Sequence, residues 1–183
     1  MNKEKLAAMN IKTDRIIVRR FSMEDQKDIF EIVSDKVTCY EDGGYEPFKA
    51  MDEEFNQLME KFLMDDYRYV IEVTQEHKVI GLVHLMEVDN RGVDCLEIGY
   101  VINKNYRRKG YAFEAVDSVI NFCFEEADVE MITAGVFQGN MKSMNMLNKL
   151  NFIKEGITHK AMNHCFYGII DMVNYYKELK VNS

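Results

Sequence analysis

The hydrophobic residues of this chain follow a helical period in some segments and a strand period in others. Apolar residues recur at helical spacing between positions 51 and 62, which predicts a helix with one buried stripe. Residues 67–73 alternate apolar and charged side chains, which predicts a half-buried strand. Residues 79–86 are apolar almost throughout, which is typical of a central strand covered on both faces.

Together these patterns predict an α/β fold, with a mixed sheet of about seven strands covered by about four helices. Predicted strands lie at 15–21, 67–73, 79–86, 96–102, 131–137, 152–157 and 165–173, and helices begin near Ser22, Met51, Ala112 and Asn140. Since 183 residues with one proline and no repeat offer no linker, a single domain over residues 1–183 is expected. Residues 1–14 are expected to form a mobile or loosely docked lead, and residues 38–47 a loop.

A short basic segment, Arg107-Arg108-Lys109-Gly110-Tyr111-Ala112, separates the strand at 96–102 from the longest amphipathic helix. The first N–H groups of a helix lack internal partners, and the helix dipole adds partial positive charge there. A phosphate fits such a position, and Gly110 lets it approach the backbone. The segment has neither a dinucleotide fingerprint nor a Walker loop, and by itself it is equally consistent with a solvated basic turn.

A second motif begins at Asn140, which can cap the helix after the strand at 131–137. That helix ends at Lys149-Leu150-Asn151-Phe152, where Asn151 takes the left-handed position that often follows a helix. In this order the two motifs resemble the acetyl-CoA motifs of the GCN5-related N-acetyltransferases (GNAT). Residues 13–19 and Val79-Ile80-Gly81 resemble the branch that acetylates ribosomal-protein N termini, so the resemblance covers nearly the whole chain.

The resemblance implies that acetyl-CoA is a co-substrate and that two central strands splay apart to admit its pantetheine arm. The strand at 96–102 would separate from the strand at 131–137, and one N–H group would polarise the thioester carbonyl. Asn140 would hold the pantetheine or its bound water, although a plain helix cap is the alternative. The implied cofactor-binding residues are Tyr100, Val101, Ile102, Arg107, Arg108, Lys109, Gly110, Tyr111, Ala112, Asn140 and Ser143.

Glu97 and Ser143 are the candidate catalytic residues. Glu97 lies among apolar neighbours that would raise its pKa and suit it as a general base, although a solvent-facing carboxylate is an equal alternative. Ser143 resembles the hydroxyl that protonates the leaving thiolate in the ribosomal branch, and the alternative is a serine near the helix cap that bonds to backbone. Many family members use a tyrosine for this step, but Leu147 stands at that position here. His84 is expected to be a satisfied core imidazole rather than a catalytic one.

Composition limits the partners. A net charge of −8 argues against nucleic acid, and no segment is apolar enough for a signal peptide or membrane span. Four scattered cysteines, without metal spacing, predict no metal site and a cytoplasmic location.

A homodimer is left open, because Tyr175-Tyr176 could pack across an interface or onto its own domain. Six carboxylates that could attract a cationic acceptor, or form a solvated face, are Glu41, Asp42, Glu46, Asp52, Glu53 and Glu54.

The resulting hypothesis is an acetyl-CoA-dependent N-acetyltransferase that acts on a primary amine by direct sequential transfer. The acceptor would be a protein N terminus, a polyamine or another small amine. The alternative is a catalytically inactive acyl-CoA-binding sensor or interaction module. A nucleotide-phosphate transferase is disfavoured, because the sequence lacks the Walker lysine and a paired-carboxylate magnesium site.

Overall fold

The computed structural model describes residues 1–179 and contains one mixed sheet of eight strands in the order β1-β2-β3-β4-β5-β6-β8-β7. The strands are β1 (Asn10–Lys12), β2 (Ile16–Arg20), β3 (Arg68–Val73), β4 (Lys78–Glu87), β5 (Cys95–Ile102), β6 (Met131–Phe137), β7 (Ile153–His164) and β8 (Gly168–Glu178). The helices are α1 (Lys3–Ala7), α2 (Gln26–Val33), α3 (Lys36–Thr38), α4 (Glu53–Met64), α5 (Tyr111–Glu125) and α6 (Met141–Lys149). No helix within this range is long and apolar enough to cross a bilayer.

Two hydrophobic clusters cover the two faces of the sheet. One packs α5 against strands β2 to β6, and the other packs α2 and α4 against β3 and β4. Consecutive residues of β4 therefore enter different clusters, as Leu82 does on one face and Val83 on the other. This arrangement explains why the apolar pattern of β4 is continuous.

Strands β5 and β6 form the single parallel pair in the sheet over residues 1–179, and they pair only briefly. Their register is Cys95 with Met131, Leu96 with Ile132 and Glu97 with Thr133, after which pairing stops. Strand β5 meanwhile pairs with β4 along seven residues. The predicted α/β fold with splayed central strands is therefore confirmed.

Several details of the predicted fold were wrong. Eight strands and six helices replace about seven and four, because α1 and β1 lie in the segment expected to be a loose lead and the short helix α3 was not predicted. That segment buries Leu6 and Met9 completely or nearly so, and β1 pairs with β2. Helix α1 and strand β1 are too short to show a hydrophobic period in the sequence. The expected loop at 38–47 also contains a helical turn, Cys39–Gly43.

The half-buried pattern predicted for β3 was also wrong, since β3 is buried on both faces. Its charged residue Glu72 tolerates burial because Arg19 Nε donates to it at 2.7 Å. Tyr175 is buried within its own domain, on strand β8 between β6 and β7.

Candidate active site

A cleft of about 1720 Å³ opens where β5 and β6 separate. Its walls come from β5, the segment before α5, the start of α6 and the segment between α3 and α4. In a parallel pair, the hydrogen bonds between the strands come from the paired residues. Since β5 pairs with β6 only as far as Glu97, the edge of β5 beyond Glu97 has no partners on β6. The cleft therefore offers free backbone groups and side chains from both halves of the sheet.

The segment before α5 presents free amides to one end of this cleft. Gly110 has φ 86° and Arg108 has φ 60°, so two left-handed residues turn the backbone sharply. Arg108, Lys109 and Gly110 are exposed. Across residues 1–179, no protein acceptor takes the N–H groups of residues 108–113, and the first bond into α5 runs from Glu114 N to Gly110 O. Donors arranged in this way suit a phosphate.

Arg107 differs from the rest of this segment. Its N–H group donates to Lys104 O at 3.4 Å, so the free amides begin one residue later than predicted. Its guanidinium turns back and donates to Asp42 at 2.6 Å and to Thr38 Oγ1 at 3.0 Å. The neighbouring Lys109 ammonium lies 4.9 Å from the Tyr106 ring. Arg107 and Lys109 therefore each have a partner within the protein.

Asn140 caps α6, as the cap alternative requires. Its Oδ1 accepts from Ser143 N at 3.1 Å, and its Nδ2 donates to Glu41 O at 3.2 Å. Beyond the helix, Asn151 has φ 61°, which confirms the predicted left-handed position.

Glu41 and Asp42 connect the two motifs. Glu41 pairs with Arg107 Nη1 at 3.2 Å and with Lys142, while Asp42 pairs with Arg107. A hydrogen bond from Lys142 lowers the pKa of Glu41. Burial raises the pKa of Asp42, and the Arg107 charge offsets only part of that rise. Of the six carboxylates considered above, all but Glu53 line the cleft.

Glu97 lies at the point where the β5–β6 pairing ends. It is half-buried in the cleft, and its Oε1 is 3.7 Å from the position that a Cβ on Gly135 would occupy. Burial raises the pKa of this carboxyl group, as desolvation of a charged form requires. The side chain therefore has both the access and the basicity that a general base needs.

His84 lies on the same face of the sheet as Glu97. It pairs across strands with Gly99, and a Cβ added at Gly99 would overlap its ring. It lines the cleft, and no group within residues 1–179 hydrogen-bonds to its imidazole. The prediction of a satisfied core imidazole was therefore wrong. Burial, aided by the Arg68 charge, lowers the pKa of His84 to about 4, so the ring is neutral near pH 7.

Ser143 and Tyr100 meet across the splayed gap. Their hydroxyl oxygens are 2.6 Å apart, and both residues line the cleft. Burial raises the pKa of Tyr100 to about 12. Leu147, one turn along α6 from Ser143, is fully buried and brings no hydroxyl to the cleft.

Residues 15–153 match the family described as the Acetyltransferase (GNAT) domain. The chain belongs to the GNAT acetyltransferase family. It is 34% identical over 107 residues to the probable N-acetyltransferase YjcK of Bacillus subtilis (strain 168), and the match spans 58% of each protein. It is 24% identical over 161 residues to the ribosomal protein uS5-alanine N-acetyltransferase of Escherichia coli (strain K12), covering 81% of this chain and 80% of that one. A solved GNAT acetyltransferase from Bacillus anthracis covers 93% of this chain and 98% of its own, with 25% identity and a TM-score of 0.81.

These comparisons confirm the predicted family and the enzyme class, an N-acetyltransferase. Within this GNAT chain, the structure brings all the predicted site residues to one cleft except Lys109, whose side chain lies outside its lining. Sequence reasoning missed the side chains of Tyr100 and Arg68, which also line it. Strand alternation could have placed the Tyr100 side chain on the other face of β5 from Glu97, but only the fold brings Tyr100 to Ser143.

Proposed function

We propose that this GNAT enzyme transfers an acetyl group from acetyl-CoA to a primary amine by direct, sequential transfer. The observation that carries the proposal is the convergence of three features in one cleft. They are the free amides of residues 108–113, the unpaired edge of β5 and the half-buried Glu97. A cytoplasmic location follows as part of the same proposal.

The two motifs would hold acetyl-CoA, which supplies the activated thioester. The amides of residues 108–113 would bind its diphosphate. The free edge of β5 at Tyr100, Val101 and Ile102 would bind the pantetheine arm, and one N–H group would stabilise the developing oxyanion. Loss of one such donor typically costs about 3 kcal/mol. Asn140 would act by fixing the start of α6, since both ends of its amide are already used by the protein.

The amine must be neutral to attack the thioester. A lysine-type amine with a pKa of about 10.4 is neutral in less than about one part in a thousand at pH 7, whereas an α-amine of about 7.8 is neutral in about one part in seven. Glu97 would take the proton that the nitrogen loses as the new bond forms. The unpartnered His84 imidazole would offer one donor and one acceptor to the incoming amine.

We infer the acceptor class from the charge of the cleft lining. Glu46, Asp52 and Glu54 line the cleft beside Lys49 and Arg68, and the three carboxylates favour a cationic acceptor such as a basic peptide N terminus or a polyamine. If these carboxylates capture the acceptor, its KM should rise several-fold between low and high salt, because exposed charges are screened over about 10 Å at 0.1 M. A flat profile would reject electrostatic capture.

The decisive experiment measures thiol release from acetyl-CoA over a panel of acceptors. The panel contains peptides with free N-terminal alanine, matched N-acetylated peptides, spermidine and simple monoamines. Sequential transfer predicts initial-velocity lines that intersect when both substrates are varied. Tight CoA binding without thiol release for any acceptor would reject catalysis and favour the inactive CoA-binding module.

A further inference from the structure

The hydroxyl pair of Tyr100 and Ser143 spans the gap between the separated strands. Tyr100 comes from β5, on the near side of the gap, and Ser143 from the first turn of α6, which follows β6. Their 2.6 Å separation is short even for two hydroxyl groups. The pair thus lies beside the edge of β5 that the proposed function assigns to the pantetheine arm.

The surroundings hold both residues in place, and either hydroxyl group can be the donor in this hydrogen bond. Asn140 Oδ1 accepts from Ser143 N at 3.1 Å, which holds the serine backbone at the start of α6. The ring of Tyr100 is partly buried against the main hydrophobic cluster. With a pKa of about 12, the Tyr100 phenol keeps its proton throughout the neutral range. If that proton is donated to Ser143 Oγ, the serine hydrogen is left free to point into the cleft.

We propose that Tyr100 positions Ser143 as a hydrogen-bond donor to the thiolate that leaves when the thioester is cleaved. This inference rests on the proposed function and assigns a role to the Tyr100 side chain. It also provides a hydrogen-bond donor for the leaving thiolate in a chain where Leu147, which has no hydroxyl group, replaces the usual tyrosine. Tyr100 is a positioning residue, because it acts through Ser143.

The step balances without any further reactant. As the amine nitrogen forms its bond to the acetyl carbon, the C–S bond breaks and its electron pair remains on sulfur. Glu97 takes the amine proton and later releases it to water. Both hydroxyls keep their protons, because a phenol of pKa about 12 is a weaker acid than a thiol of about 8.5. The thiolate takes a proton from water on release.

A titration of bound CoA tests the inference without any acceptor. The ultraviolet absorbance of the thiolate gives the thiol pKa of CoA on the wild-type enzyme, Tyr100→Phe, Ser143→Ala and the double variant. We expect the wild type to lower this pKa below that of free CoA and each single variant to raise it by about one unit. The double variant should match Ser143→Ala. Tyr67→Phe is the matched control, since its hydroxyl contacts Glu87, away from the cleft.

Kinetics supply the second measurement. Tyr100→Phe should lower kcat by about tenfold at an unchanged acetyl-CoA KM, and its effect should vanish in the Ser143→Ala background. Additive losses, or an unchanged thiol pKa in both single variants of an active enzyme, would overturn this inference and leave the proposed function standing. A wild-type enzyme that binds CoA but acetylates no amine would instead reject the proposed function. Should Tyr100→Phe unfold, an unchanged thiol pKa of CoA bound to Ser143→Ala would by itself overturn this inference.

Discussion

The two ends of the cleft are built in different ways. The end assigned to acetyl-CoA uses backbone groups of one continuous segment, residues 108–113, placed by two left-handed residues. The end assigned to the acceptor uses side chains from distant segments, including Glu54 on α4, His84 on β4 and Glu97 on β5. A backbone site depends on a local pattern of turn and helix, whereas a side-chain site depends on the whole fold. The first can therefore be predicted from a local sequence pattern, whereas the second depends on the fold, and the surroundings predicted for His84 from the sequence alone were wrong.

The two ends also differ in charge. The first carries free amides and the exposed Arg108, whereas the second carries the carboxylates Glu46, Asp52, Glu54 and Glu97 together with Lys49 and Arg68. Glu41 and Asp42 lie on the boundary, since they hold Arg107 from one motif and Lys142 from the other. If this division is correct, substitutions at one end should alter one substrate and spare the other.

The largest effect is expected at the acceptor end, from Glu97→Gln. This change should lower kcat by about 10²-fold while acetyl-CoA binding stays unchanged. Because burial raises the pKa of Glu97, the wild-type rate should fall as pH drops through a value above that of an ordinary carboxyl group. The variant should lack this acidic limb. Rates measured from pH 5 to 9 test this, with Glu155→Gln, a surface partner of Arg91, as the control.

A second effect at the acceptor end concerns stability rather than rate. His84 has a folded pKa of about 4 against 6.5 for the free side chain, so only the unfolded chain binds this proton between those values. The folded state should thus lose up to about 3 kcal/mol as pH falls from 7 to 4. Urea unfolding at both pH values should show a smaller loss for His84→Gln. An equal loss in wild type and variant would contradict the prediction, and the exposed His77→Gln is the control.

At the acetyl-CoA end, Gly110→Ala should weaken CoA binding about tenfold, because a side chain at φ 86° costs roughly 1–2 kcal/mol. The added Cβ would also lie 3.2 Å from Arg15 Nη2. Gly92→Ala is the matched control, since nothing lies within 4 Å of its added Cβ. Calorimetry measures the dissociation constant of CoA for both variants. A loss of kcat at normal CoA affinity would instead contradict the assignment of the segment before α5 to acetyl-CoA binding.

The smallest effect is expected at the boundary. Asp42→Asn removes a carboxylate beside the site assigned to the diphosphate, so CoA affinity should rise by about threefold through reduced like-charge repulsion. The acceptor KM should rise at the same time, since the segment between α3 and α4 loses the ion pair of Asp42 with Arg107 and keeps the 3.2 Å pair of Glu41. Paired measurements of both constants test this. Weaker CoA binding in Asp42→Asn would show that the carboxylate supports the loop instead of opposing the phosphate.

Local signals explain how much of this was predictable. Gly110 and Asn151 take left-handed positions that their residue types favour, and the Asn140 cap is a local contact. The side-chain orientation of Arg107 was not predictable, because its partners Asp42 and Thr38 are more than sixty positions away. The surroundings of His84 were missed for a related reason. An apolar run indicates a buried strand, but it does not show that the facing residue is Gly99 or that a cleft opens beside it.

The brief pairing of β5 and β6 has a mechanical consequence. Three register pairs join the two halves of the sheet, and they end at Glu97 and Thr133. The gap is therefore a wedge with its apex at Glu97. A small rotation of one half against the other would widen the mouth much more than the apex, so the space assigned to the pantetheine arm would change in width while the carboxylate at the apex keeps its place.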